Sequence, residues 1–406
     1  MKITVKAGKA QGSVKAPPSK SIAHRTILCA ALANGQSEIT HVAHSEDLLA
    51  TIDCARELGA DIQWRGHETL DVIGTDKPTQ GAVFPCRESG STLRFFIPVG
   101  LTGMEREVTF LGSKRLMERG IGLYREFLPL HGAEIVADTH QILAKGKLQA
   151  GHYTLRGDVS SQFITGLLTA LPLLAGDSTL EILPPVESRA YIDITLQVLK
   201  QFGITVREPY ENYFEISGNQ HYLAGKYDVE GDWSNAAFLL AFNELGGHVT
   251  VTGLSESSMQ GDRICQKLFN QTSSVDNAID ISGCPDLGPI LFSVAAAKQK
   301  GAYFTGTKRL KIKESDRAQA MAQELAKFGI QTELGANWFK IFSGALKAPD
   351  QMLFGHNDHR IVMALTVLSS VTGGSIEGIE AVSKSFPDFF EVLQQLGLHL
   401  KMEETA

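Results

Sequence analysis

The strongest constraint on this chain is a repeat. Apolar helical segments close on Gly59, Gly132, Gly203, a degenerate Phe269-Asn270, Gly329 and Gly397, so successive closings stand about 70 residues apart. A strand follows the early closings, as Asp61-Ile62-Gln63-Trp64, Ala133-Glu134-Ile135-Val136 and Ile204-Thr205-Val206. That period exceeds common solenoid repeats and suits a multi-element α/β unit. Each unit also has an earlier helix with a marked opening. The openings are Pro17-Pro18-Ser19-Lys20-Ser21, Glu88-Ser89-Gly90-Ser91-Thr92, Ser160-Ser161-Gln162-Phe163, Asp232-Trp233-Ser234-Asn235, Pro285-Asp286-Leu287-Gly288 and Asn357-Asp358-His359-Arg360. Ser19 or Ser21 is a good N-cap, and Asn34-Gly35 reads as the closing of the first helix. Six units in two sets of three follow.

With 406 residues the chain is too long for one simple core. The break between halves falls near Tyr227-Asp228-Val229-Glu230-Gly231-Asp232, where a short strand meets a Gly-Asp turn. The strand Met1-Lys2-Ile3-Thr4-Val5-Lys6 is isolated by the prolines and is assigned to the second half. The expected domains are therefore 18–227 and a discontinuous 1–17 plus 228–406, with a ligand cleft and hinge closure between them.

Composition removes several classes of function. A net charge of -7 without a basic block argues against a nucleic-acid or membrane-surface partner. Five widely separated cysteines, with no C-x-x-C, are reduced, cytosolic usage. The first residues show no targeting leader, and the longest apolar run, Ile164 to Ala175, falls short of the ~20 residues of a membrane span. A cytoplasmic protein is expected. No P-loop, zinc spacing, dinucleotide fingerprint or serine-hydrolase elbow is present, so neither a metal nor a cofactor is expected.

What remains is the chemistry of the helix openings. Lys20, Ser21 and Arg25 stand at the first; Ser91 and Arg94 at the second; Ser160, Ser161 and Gln162 at the third; Asp286 at the fifth; His359 and Arg360 at the sixth. Arg119, the run Lys313-Glu314-Ser315-Asp316-Arg317, and Lys384 are placed at the starts of second helices. Helix N-termini present free N–H groups and positive dipole ends to anions. Lys20 and Arg25 sit where the dipole disfavours cations, so an external anion is the expected compensation. Singly, each of these residues reads as a surface charge or an ordinary cap. Together they predict a multiply anionic substrate carrying phosphate and carboxylate.

Five motifs, Pro18-Ser19-Lys20-Ser21 with Arg25, Asp158-Val159-Ser160-Ser161-Gln162-Phe163, Lys313-Glu314-Ser315-Asp316-Arg317, Asn357-Asp358-His359-Arg360 and Lys384-Ser385-Phe386-Pro387-Asp388, resemble in order those of the 5-enolpyruvylshikimate-3-phosphate synthase family. The resemblance implies a two-domain inside-out α/β barrel of six βαβαββ-like units, three per domain. It implies transfer of the enolpyruvyl group of phosphoenolpyruvate to the 5-hydroxyl of shikimate 3-phosphate, by a monomer. By matching position Ser160, Ser161 and Ser188 would hold the shikimate phosphate, and Ser21 and Arg25 its carboxylate, with Gln162, Asp286 and Lys313 completing that site. Phosphoenolpyruvate would lie against Lys20, Arg119, Arg317, Arg360 and Lys384, with Gly90 and Ser91 lining its pocket. Glu314 and Asp286 would be the catalytic carboxylates, assisted by Lys20 and His359.

Two departures from the family pattern stand out. Glu88 replaces a usual Asn and is left out of the site, and Arg119-Gly120 replaces Arg-Pro, which predicts a looser loop. The related UDP-N-acetylglucosamine enolpyruvyl transferases usually carry a reactive Cys in the segment that here reads Gly112 to Arg119; none of the five cysteines lies there. A non-catalytic anion binder would have no use for both Asp286 and Glu314.

Overall fold

The computed structural model describes residues 1–75, 82–103 and 106–404. The chain divides into two compact units, Pro18–Glu230, and Met1–Pro17 together with Gly231–Ala406. Each has its own apolar core. One is drawn from Ile22 to Val229, the other from Ile3 to Val14 and Trp233 to Leu398.

The leading helices are apolar on nearly every side, and a helix of that kind has to be buried. Lys20–Leu32 is buried from Ile22 to its end, Trp233–Glu244 from Trp233 to Phe242, and His359–Thr372 from His359 to Ser370. Strands instead alternate. In Gln141–Gly146 the side chains of Ile142 and Ala144 are buried between exposed neighbours, and Ser178–Leu183 alternates likewise. One face of each such sheet therefore covers helices while the other meets water. Within each unit the helices are inside and the sheets outside.

The repeat is visible in the strand pairing. Val83–Pro85 runs parallel to Arg106–Leu111, which pairs antiparallel with Gln141–Gly146, whose hairpin partner is Ala133–Ala137. His152–Arg156, Ser178–Leu183, Tyr213–Ile216 and Val206–Tyr210 form the same sheet, as do Ala278–Asp280, Ala302–Thr305, Trp338–Ile341 and Thr332–Leu334. The sheet after the first helix takes its parallel strand from far along the chain: Lys226–Asp228 lies beside Gly35–Thr40, with Thr69–Gly74 and Asp61–Arg65 completing it. In the last unit Lys2–Val5 sits between Gly374–Glu377 and Leu400–Glu403, in the place a hairpin strand takes elsewhere, and Leu353–Phe354 is the parallel member. The fourth unit keeps only Gln11–Lys15 beside His248–Thr252. Its weak closing at Phe269-Asn270 matches this: the helix Cys265–Gln271 ends without a positive-φ glycine.

Gly59, Gly132, Gly203, Gly329 and Gly397 all have positive φ, between 78° and 109°, where a side chain would be strained. Three local expectations need correction. Asn34-Gly35 does not close the first helix, because Ala33 is already extended and Gly35 begins the next strand. Arg119 caps the end of the five-residue helix Lys114–Glu118 rather than opening one. Lys384 ends a 3-10 turn, Ile379–Lys384, and the following helix starts five residues later at Phe389. Among the described residues, no helix is long and apolar enough to cross a membrane.

Candidate active site

In the unit Pro18–Glu230, Ser19 is the N-cap of Lys20–Leu32 without a side-chain cap bond. The Lys20 ammonium, in the first helical position, lies 2.7 Å from an Asp47 carboxylate oxygen. Asp47 stands in the first turn of Glu46–Glu57, where an acid suits the dipole. An internal carboxylate thus supplies the compensation that the sequence assigned to a bound anion. Thr51 and Thr92 hydroxyls both approach the Asp47 carbonyl, at 3.4 and 3.5 Å, and continue a buried chain: His24 Nδ1 to Thr51 Oγ1 at 2.6 Å, Thr51 to Thr92 at 2.7 Å, Thr92 to Ser89 Oγ at 2.7 Å. Burial first, then Lys20 and Arg25, push His24 well below the usual imidazole range, so it is a neutral member of that chain.

Arg25 is 4% exposed and stitches three helices together. Its Nε donates to Thr195 Oγ1 at 2.8 Å, one terminal nitrogen donates to the Ser21 carbonyl, and the other to Thr165 Oγ1 and the Tyr191 carbonyl, both at 3.1 Å. Burial pulls its pKa down to about 10, which leaves it charged at neutral pH.

Ser160 caps Ser161–Ala170, its hydroxyl accepting from the Gln162 N–H at 3.3 Å. The Gln162 side chain joins that helix opening to the one before it: Nε2 donates to Ser91 Oγ at 3.0 Å, and Oε1 accepts from Arg94. Arg94 also donates to the carbonyls of Arg119 (3.2 Å) and Gly120 (3.1 Å). The Arg119-Gly120 loop is therefore tied down despite lacking proline. Gly90 lets the Arg119 guanidinium lie across the helix opening, since a Cβ there would come within 2.8 Å of it. Ser188 is buried, with φ 56°, just before Arg189–Gln201.

In the other unit Arg317 is the hub. Its side chain is 1% exposed; Nε donates to Asp358 at 2.8 Å, and the two terminal nitrogens to Asp286 and Glu314, each at 2.7 Å. Asp286 also meets Lys313 at 3.0 Å and Arg360 at 3.6 Å. Burial alone would raise the Asp286 carboxyl, but Arg360, Lys313 and Arg317 outweigh it and hold it well below the usual carboxylate range. Desolvation pulls the Lys313 ammonium down to about 8. Asp358 caps His359–Thr372 by accepting from the Arg360 N–H and also accepts from Ser315. His359 is buried beside Asp358, and Lys384 donates to the Asn357 carbonyl and side-chain oxygen, 2.8 Å each.

Two clusters of candidates thus emerge, one in each unit. Sequence reasoning missed Asp47, the ion pair that Asp358 makes with Arg317, and the loop-holding part of Arg94. It also missed Asp262, a 4% exposed carboxyl raised to about 6 by burial and the neighbouring Asp286. Arg317, expected against phosphoenolpyruvate, has every side-chain nitrogen engaged by a carboxylate.

Fold and site together define an α/β protein of repeated units that gathers cations, hydroxyls and ionised carboxylates at its helix openings. The family model for EPSP synthase (3-phosphoshikimate 1-carboxyvinyltransferase) matches residues 5–393. Relatives named 3-phosphoshikimate 1-carboxyvinyltransferase include those of Clostridium kluyveri, 38% identical with 97% of each chain covered, and Clostridium acetobutylicum, 39% identical with 95% of each covered. A solved EPSP synthase from Acinetobacter baumannii shares the fold at a TM-score of 0.78 and 22% identity, over 99% of this chain and 100% of that one. The chain belongs to the EPSP synthase (3-phosphoshikimate 1-carboxyvinyltransferase) family, whose members are transferases. The fold class expected from the sequence, two-domain inside-out α/β, is that of the solved neighbours.

Proposed function

We propose that this protein transfers the enolpyruvyl group of phosphoenolpyruvate to the 5-hydroxyl of shikimate 3-phosphate, releasing phosphate, in the cytoplasm and as a monomer. The observation that carries the reading is the family match over nearly the whole chain, with the five motifs in order along it. Its chemistry is addition followed by elimination. A proton joins the methylene carbon of phosphoenolpyruvate while the 5-hydroxyl oxygen of shikimate 3-phosphate attacks the adjacent carbon and loses its own proton. Phosphate then leaves, and the new methyl group gives a proton back.

On this reading Ser160, Ser161 and Ser188 hold the shikimate phosphate, Ser21 and Arg25 receive its carboxylate, and Gln162, Asp286 and Lys313 complete its site. Lys20, Arg119, Arg360 and Lys384 neutralise phosphoenolpyruvate and the departing phosphate, with Gly90 and Ser91 beside them. Arg317 reaches phosphoenolpyruvate only by exchanging one carboxylate partner; otherwise it orients Asp286 and Glu314. Asp286, held ionised by three cations, accepts a proton rather than giving one. It gains basicity when those cations turn to the substrates, which makes it the acceptor for the hydroxyl proton. Glu314 then serves the carbon, with Lys20 and His359 assisting. All five cysteines are buried and unpaired, which suits a reducing compartment.

Phosphate release should require phosphoenolpyruvate and shikimate 3-phosphate together. Release with a UDP-sugar acceptor in place of shikimate 3-phosphate would overturn the assignment in favour of the related transferase. A second expectation concerns Lys313. As pH rises through about 8 this side chain loses its charge, so kcat/KM for shikimate 3-phosphate should fall along an alkaline limb near that value. Lys313→Arg, which stays charged, should remove the limb even if overall activity is lower.

A further inference from the structure

The segment before His359–Thr372 is bent unusually. His356 and Asn357 have φ of 50° and 52°, two consecutive non-glycine residues in the left-handed region. Such a conformation persists only where its surroundings dictate it. Backbone bonds hold the bend, the Gly355 N–H donating to the Glu377 carbonyl and the Asp358 N–H to the Gly355 carbonyl, both at 2.9 Å. Beside it lies Glu324, 1% exposed on Arg317–Lys327, two turns along the helix that begins with the Arg317 hub. One Glu324 oxygen meets His356 Nε2 at 2.9 Å; the other accepts from the Phe354 N–H at 3.0 Å and the Lys327 ammonium at 2.9 Å. Lys327 also donates to the Met352 carbonyl at 2.9 Å. One buried carboxylate therefore grips residues 352, 354 and 356 directly or through Lys327. Burial alone would raise its pKa, but the bonds from His356, Lys327 and the Phe354 N–H outweigh that and hold it below the usual range.

The residues just beyond the grip belong to the candidate site. Asn357 accepts both bonds from Lys384, Asp358 takes Arg317 and Ser315, and Arg360 reaches Asp286. We propose that Glu324 and His356 form a positioning pair that holds the bent segment, so that Asn357 aims Lys384 and Asp358 fixes the start of the helix bearing Arg360. Neither residue touches substrate. The inference rests on the proposed reaction for its kinetic effect, and on geometry alone for its structural one.

The test uses the full-length protein with His356→Phe, which removes the donor at a partly exposed position, and His356→Gln, which keeps one. Glu324→Gln is the companion variant. Hydrogen exchange at the amides of Phe354, Asp358 and Arg360 should quicken at least ten-fold in His356→Phe and Glu324→Gln, with much less change in His356→Gln. The KM for phosphoenolpyruvate should rise about ten-fold in the same two variants, while kcat stays within three-fold and calorimetric binding of shikimate 3-phosphate is unchanged. Adding Lys384→Met to His356→Phe should raise that KM by less than the product of the two single effects, because one of the pair's two routes to the site runs through Lys384. Unchanged exchange in His356→Phe would overturn the clamp. Quickened exchange with an unchanged KM would overturn its link to the site. If the parent protein fails to turn over both substrates, the reaction assignment falls, and the clamp is still judged by exchange.

Discussion

Glu314→Gln should lower kcat by about 10²- to 10⁴-fold, the range that a positioned acid or base contributes, while the KM for each substrate changes by less than about three-fold. The argument is geometric. Glu314 lies in the Lys313-to-Arg317 run, with one oxygen 2.7 Å from Arg317 and the side chain still in reach of solvent at 18% exposure. Glutamine keeps the shape, and its carbonyl oxygen can accept the Arg317 N–H, so the hub survives. What it cannot do is carry a proton to or from carbon. Steady-state kinetics with each substrate varied in turn check this. An equal loss in binding would mark Glu314 as a structural partner of Arg317.

Arg317→Met should be costly in a different way. It leaves Asp286, Glu314 and Asp358 sharing one partly closed space without the cation that all three contact. Removing one partner of a buried ion pair costs about 3–5 kcal/mol, which for a unit of this size means a fall in melting temperature on the order of 10 °C. The pH dependence has a definite sign. In the wild type Asp286 is depressed, so its contribution is present above the unfolded carboxyl pKa and is lost as pH falls. In the variant the Asp286 carboxyl rises relative to the wild type, since only Lys313 and Arg360 still face it, and that part of the stabilisation at neutral pH is missing. The melting deficit should therefore shrink as pH is lowered from about 7 toward 4, the ordinary carboxyl range. Thermal denaturation of both proteins across that range measures it; a constant deficit would show that Met fails through packing alone.

The parts of the fold legible in the sequence were those set by local chemistry. Gly59, Gly132, Gly203, Gly329 and Gly397 mark helix ends because only a residue without a side chain takes those angles cheaply. Ser89, Ser160, Asp232 and Asp358 each cap a leading helix through their own side chain, and each lies in a predicted opening. Asn34-Gly35 misled because the same residue types also begin strands. What could not be read was the pairing of distant side chains. Nothing near Lys20 in sequence announces Asp47, which arrives on another helix 27 residues later. Asp47 and Asp358 look like ordinary acids at helix starts, and their second duty exists only after the helices pack. Glu324 was harder still, since on its own helix it makes an unremarkable i,i+3 pair with Lys327.

The way the sheets are completed has a consequence for the making of the protein. Pro18–Glu230 is one uninterrupted stretch, and its last strand, Lys226–Asp228, closes the sheet begun by Gly35–Thr40. The strands described in it all find their partners within that stretch. The other unit differs, because Lys2–Val5 is made far ahead of its two neighbours, Gly374–Glu377 and Leu400–Glu403. At about 5–20 residues per second, the opening strand waits tens of seconds with both edges unpaired. Such edges invite the wrong partners, and Lys2, Lys6 and Lys9 place charge along that stretch while it waits.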